Sequence, residues 1–116
     1  MSILLMGGDM QAQGHAQTLV DVVDLGANLQ TATDMARFRH SQVSNKLELE
    51  SGPYALVGKE LSAMGHNVVS ASGAPMGGFQ SILFSPPRQS TAPNAADRGF
   101  YRAGSDHRKD GQAVGW

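Results

Sequence analysis

The chain has 116 residues, nine Lys plus Arg against ten Asp plus Glu for a formal net charge of -1, and no cysteine. A near-neutral balance lacks the basic excess used to bind nucleic acid or anionic membranes, and the missing thiols remove disulfides, thiolate metal sites and cysteine nucleophiles. The length holds one small domain, and an apolar fraction of 41% with 14 glycines describes a folded, turn-rich chain.

Ile3 to Met6 is a continuous apolar run ended by glycine and reads as a short buried strand. It is too short for the apolar core of a signal peptide, and no segment reaches the length of a membrane span, so the compartment stays open. Asp9 stands where a helix N-cap belongs, and Ala12, Ala16, Leu19, Val20 and Val23 recur at helical spacing as the expected buried face, with Gly26 as the stop. Asn28 caps a second, shorter helix through Met35, with Leu29, Ala32 and Ala36 turned inward.

Phe38 to Gln42 and "KLELE" follow, Leu47 and Leu49 alternating with charges as in a half-buried strand. Gly52 and Pro53 open a third helix whose apolar stripe is Tyr54, Val57, Leu61 and Met64, and Gly65 closes it. "NVVSA" and "FQSILF" are two further strands separated by the loop "SGAPMGG". From Ser85 to Arg98 periodicity vanishes, which predicts a long surface loop. The last residues predict two strands around a turn at Asp110 and Gly111. No internal repeat or boundary interrupts the chain, so residues 1–116 form a single domain or part of one.

Two adjacent glycines, Gly7 and Gly8, sit between the first strand and the first helix. A phosphate loop fails on spacing, because five residues separate Gly8 from Gly14, and His15 and Ala16 stand where lysine and a hydroxyl should be. The dinucleotide fingerprint G-x-G-x-x-G is absent. Two consecutive amides beside a helix N-terminus still make an oxyanion hole or anion nest, and the plain alternative is a tight strand-to-helix turn.

Histidines 15, 40, 66 and 107 are scattered, none with a partner at metal-ligand spacing, so no metal or cofactor is assigned. Asp106, His107 and Asp110 read as a polar hairpin with a charged turn. Ser44, Ser72 and Thr18 lie in no nucleophile motif. Removal of Met1 would free Ser2 as an N-terminal nucleophile, yet an exposed strand start explains Ser2 better. Arg37 and Arg39 flank Phe38 just after a helix, where arginine binds a carboxylate or the helix C-terminus; Arg108 carries the same two readings.

Taken together, "MGGDMQAQGHAQ", "DLGANLQTATDMARFRH", "LSAMGHNVV", "GGFQSI" and "YRAGSDHRKDGQAVGW" resemble the successive C-terminal motifs of gamma-glutamyltransferases, most of all the cephalosporin-acylase-like branch. The resemblance implies an α+β fold that is part of the four-layer αββα sandwich of N-terminal-nucleophile (Ntn) hydrolases, contributing strands of two antiparallel sheets and the helices that cover them. It implies an acyltransferase or hydrolase acting on gamma-glutamyl amides such as glutathione, through an N-terminal threonine whose own amine serves as base. By motif match, Gly7 and Gly8 are the backbone donors to the oxyanion.

The family's nucleophilic threonine and its glutamyl-binding residues lie upstream of the first motif seen here. Thr18, Thr31, Thr33 and Thr91 are internal and belong to other motifs, so no nucleophile is assigned in this chain. The expected partners are therefore the upstream portion of such an enzyme and a gamma-glutamyl substrate, with open strand edges that invite homo-oligomers in the isolated chain. The alternative is a remnant or interaction module without activity of its own.

Overall fold

A computed structural model of the chain describes residues 1–87 and 99–115. Strand β1 (Ser2–Met6) turns through the two glycines into helix α1 (Met10–Val23), followed by the short α2 (Leu29–Asp34). Strands β2 (Phe38–Ser41) and β3 (Lys46–Glu50) precede helix α3 (Ser51–Ala63) and strand β4 (Val68–Ala71). A single 3-10 turn at Ala74–Met76 leads into β5 (Gly78–Ser85), and β6 (Phe100–Ser105) completes the set. The predicted loop from 85 to 98 falls largely outside the described residues, which stop at 87 and resume at 99.

Two three-stranded sheets result, in the orders β1-β5-β6 and β2-β3-β4. The first is antiparallel throughout, Leu5 facing Phe79 and Met6 facing Gly78. In the second, β2 and β3 are antiparallel but β3 and β4 run parallel, because α3 carries the chain back to the end where β3 began. The expectation of antiparallel strands thus holds for three strand pairs, with the β3-β4 crossover as the exception.

The core is small. Leu5, Met10, Met76 and Phe79 are fully buried together, with Ile3 and Ala71 packed against them. Period-2 alternation explains Leu5 and Ile3 on β1, whose other face leaves Leu4 and Met6 exposed. Across the same outer face Ile82, Phe84 and Tyr101 are also exposed, Phe84 and Tyr101 meeting as a register pair with ring centroids 5.1 Å apart.

The helices divide in behaviour. On α2 the sequence reading holds for Leu29 and Ala32, which are buried, while Ala36 beyond its end is exposed. The Asn28 side chain accepts from the Thr31 amide at 2.9 Å, as an N-cap should. On α1 the expected face is overturned: Ala12, Ala16, Leu19, Val20 and Val23 are exposed, and the buried stripe is Met10, Gly14 and Thr18. A Cβ on Gly14 would collide with the Leu5 side chain, so close approach to β1 selects the smallest residue, not the most apolar arc. Asp9 occupies the N-cap position but makes no side-chain capping bond.

Helix α3 departs in the same way, with Gly58 its one buried residue, Leu61 intermediate, and Tyr54, Val57 and Met64 exposed. Its end follows the sequence: Gly65 takes a φ of +98° and the His66 amide reaches back to the Leu61 carbonyl at 3.1 Å. No helix among the described residues is long and apolar enough to cross a membrane.

Candidate functional site

The β1-α1 turn is built by backbone conformation. Gly7 takes a φ of +151° and Gly8 one of +54°, a region that L side chains seldom enter. Their carbonyls accept the Met10 and Gln11 amides at 3.0 Å each and so start α1. Both glycines are exposed, and among the described residues no acceptor takes either of their own amides. A Cβ on Gly7 would stand 3.0 Å from the Gly77 Cα, whereas one on Gly8 would meet nothing within 4 Å. The two glycines therefore serve different ends: Gly7 lets two main chains touch, and Gly8 turns the chain beneath open space.

Under this turn lies a buried ionic cluster drawn from three separate segments. Arg37 and Asp106, both within 2% of full burial, pair Nη2 to Oδ2 at 2.6 Å. Arg37 also donates to the Met76 carbonyl at 3.1 Å and the Thr33 carbonyl at 3.2 Å. Asp106 accepts from the Phe79 amide at 2.9 Å and the Arg108 amide at 3.0 Å. Arg108 grips Glu50 with two bonds, Nε to Oε1 at 2.7 Å and Nη2 to Oε2 at 2.6 Å, and donates to the carbonyls of Thr33 and Met35 that end α2. Planar guanidinium groups suit such forked, many-donor roles, and every carboxylate oxygen of the cluster is engaged.

Burial alone would push the carboxyls of Asp106 and Glu50 up. The amides and guanidinium groups around each outweigh it and hold both below the ordinary carboxylate range. Arg108 moves the other way: burial would lower it, and Glu50 and Asp106 raise it instead. Glu50, Asp106 and Arg108 are therefore each held in the ionised form at neutral pH.

The cluster fixes the glycine turn from below. Met76 and Phe79 are held through their main chains by Arg37 and Asp106, Gly77 and Gly78 lie between them, and these are the residues against which Gly7 and Met6 rest. The predicted hairpin at Asp110 and Gly111 does not form; β6 ends at Ser105, residues 107–110 make a turn, and 111–115 carry no strand. Asp106, read as part of that charged turn, instead sends its carboxylate inward to two arginines. The sequence marks Arg37 and Arg108 as binders of a carboxylate or a helix end, but no local pattern names their partners, because residues 37, 50, 106 and 108 meet only after folding.

The other candidates take ordinary places. Thr18 is buried and donates to the Gly14 carbonyl at 3.0 Å, and Thr33 donates to the Gln30 carbonyl at 2.7 Å. Thr91 lies outside the described residues. Ser2, Ser44 and Ser72 are exposed. Arg39 approaches Glu48 at 4.0 Å across β2 and β3. His15 and Phe79 meet in a T-shaped pair, His40 meets Asn45 at 3.3 Å, and His107 meets Asp34 at 3.1 Å. Among the described residues no group of three or more acidic or histidine side chains is placed to hold a metal.

The family model described as gamma-glutamyltranspeptidase matches residues 3–116. The chain belongs to the gamma-glutamyltranspeptidase family. Among solved structures, cephalosporin acylase from Bacillus halodurans superposes with a TM-score of 0.80 at 26% identity, covering 98% of this chain and 19% of that one. The gamma-glutamyltranspeptidase from Pseudomonas nitroreducens complexed with L-DON gives 0.70 at 24% identity, covering 98% and 53%. The transpeptidase CapD of Bacillus anthracis gives 0.75 at 22% identity, covering 97% and 61%. No curated protein matches the chain. As a gamma-glutamyltranspeptidase-family chain, it has the α+β architecture of a partial Ntn-hydrolase sandwich, and it spans between 19% and 61% of these relatives' own chains.

Proposed function

We propose that this chain is the part of a gamma-glutamyl acyltransferase or hydrolase that supplies the oxyanion donors, the amides of Gly7 and Gly8, while the nucleophilic threonine comes from polypeptide outside it. The carrying observation is the exposed glycine pair with positive φ at the mouth of α1, its amides free of acceptors among the described residues. Those amides point a fixed partial positive charge at the oxygen that becomes negative when a carbonyl is attacked. Gamma-glutamyl amides such as glutathione are the proposed acyl donors, and the acyl group passes to water or to an amine acceptor. The tetrahedral intermediate collapses by expelling the leaving amine, with the proton returned by the nucleophile's own amino group.

The test joins this chain to a polypeptide bearing the nucleophile segment and follows release of a gamma-glutamyl anilide. Restored turnover, lost about 100-fold to 1000-fold in kcat with little change in KM when semisynthesis puts glycolic acid in place of Gly8 and so removes its N–H, is the expected result. Correctly folded partners that never turn over the anilide would favour the other reading, a remnant without catalysis.

A further inference from the structure

Sheet edges are exposed rows of peptide groups, and the second sheet ends at β2. In an antiparallel strand alternate residues turn both their N–H and C=O to the same side. Arg37 and its alternates face β3, as the Glu50 amide bonded to the Arg37 carbonyl at 3.1 Å requires, so Phe38 and His40 present the outward groups of this four-residue strand. Both are occupied by side chains. Gln13 donates Nε2 to the His40 carbonyl at 2.9 Å and accepts the His40 amide on Oε1 at 2.8 Å. Gln17 does the same with Phe38, at 2.9 Å to its carbonyl and 3.0 Å from its amide.

The fit is geometric. Residues two apart on a strand advance about 6.7 Å, and residues four apart on a helix advance about 6.0 Å, so glutamines at i and i+4 of α1 meet consecutive outward positions of β2. A primary amide offers one donor and one acceptor side by side, the same pair a neighbouring strand would present. A third glutamine repeats the pairing elsewhere: Gln30 donates to the Ser105 carbonyl at 3.0 Å and accepts the Ser105 amide at 3.1 Å, at the end of the edge strand β6.

We propose that Gln13 and Gln17 act as a side-chain strand that closes the β2 edge against pairing with a second copy of this chain. The device is independent of the catalytic reading above, since neither glutamine is assigned to the acyl-transfer site. It leaves strand addition to edges without such cover, such as that of β1.

The experiment measures amide hydrogen exchange and sedimentation for the chain, for Gln13→Ala/Gln17→Ala, and for Gln11→Ala, a control on an exposed residue of the same helix. The Phe38 and His40 amides should exchange about tenfold faster in the double variant, the scale expected from losing one hydrogen bond each. Exchange at Leu5 and Phe79 should stay slow, and the double variant should self-associate at lower concentration than the control. The single variants keep the proposal decidable if the double variant unfolds: Gln13→Ala should release His40 and Gln17→Ala should release Phe38. Equal release of both amides by either single change, or unchanged exchange and association in the double variant, overturns the proposal.

Discussion

The junction beneath the glycine turn is polar and buried, whereas the outer arcs of α1 and α3 are apolar and open. Arg37 and Asp106 are 2% and 1% exposed, while Val23 is 70% and Leu56 81% exposed. The contrast shows that the hydrophobic periodicity of a helix reports which arc can be covered, and close packing decides which arc this chain itself covers. On α1 a glycine at position 14 goes inside because Leu5 leaves no room for more.

The largest expected effect comes from breaking the polar side of that contrast. Asp106→Asn leaves the Arg37 guanidinium buried beside a neutral amide, and removing one partner of a buried pair costs about 3–5 kcal/mol. A urea midpoint lowered to match would be the check, and unchanged stability would show that the cluster is better hydrated than its burial indicates. Because Asp106 also holds the Phe79 amide, the same variant in an assembled enzyme should lower kcat by displacing the floor under Gly7.

Acid probes the same cluster without mutation. Asp106 and Glu50 sit below their ordinary values of 3.8 and 4.5. Groups held low bind fewer protons folded than unfolded, so their contribution is complete above the ordinary values and is lost as pH falls through the folded ones. Thermal midpoints should therefore drop as pH falls below about 5 in the native chain, and drop less in Asp106→Asn. A parallel fall in both proteins would assign the acid sensitivity to other carboxyls.

Smaller still is the effect of crowding the buried arc of α1. Gly14→Ala forces Leu5 to move, and overpacking of this kind costs about 1–3 kcal/mol. At the bottom of the scale, Leu56→Ser on the open arc of α3 should stay within about 0.5 kcal/mol in this chain. Chemical denaturation of the two variants side by side sharpens the comparison, since hydropathy alone would rank them the other way.

The sequence announces the features that are local. Asn28 as a cap, Gly65 as a stop, the alternation of Leu47 and Leu49, and the glycine pair after an apolar strand are each settled by a few neighbouring residues. The inward arcs of α1 and α3 are not legible in this way, because they depend on what stands opposite. The ionic cluster is the extreme case: a carboxylate at 106 satisfies an arginine at 37, and a dipeptide turn signal at Asp110 and Gly111 carries less weight than two buried guanidinium groups. The open space over Gly8 is likewise a tertiary fact, although the need for glycine there is visible from its place between strand and helix.

Asp106 and Arg108 also set an order for folding. They neutralise Arg37 and Glu50 across 69 and 58 residues of sequence, so the ion pairs close only after long loops of chain have been drawn together. Until then the two earlier charges stay in water, and the sheets lack the ionic bolt between them. A polypeptide cut just before Asp106 would be a loosely collapsed chain in place of a slightly shorter native one.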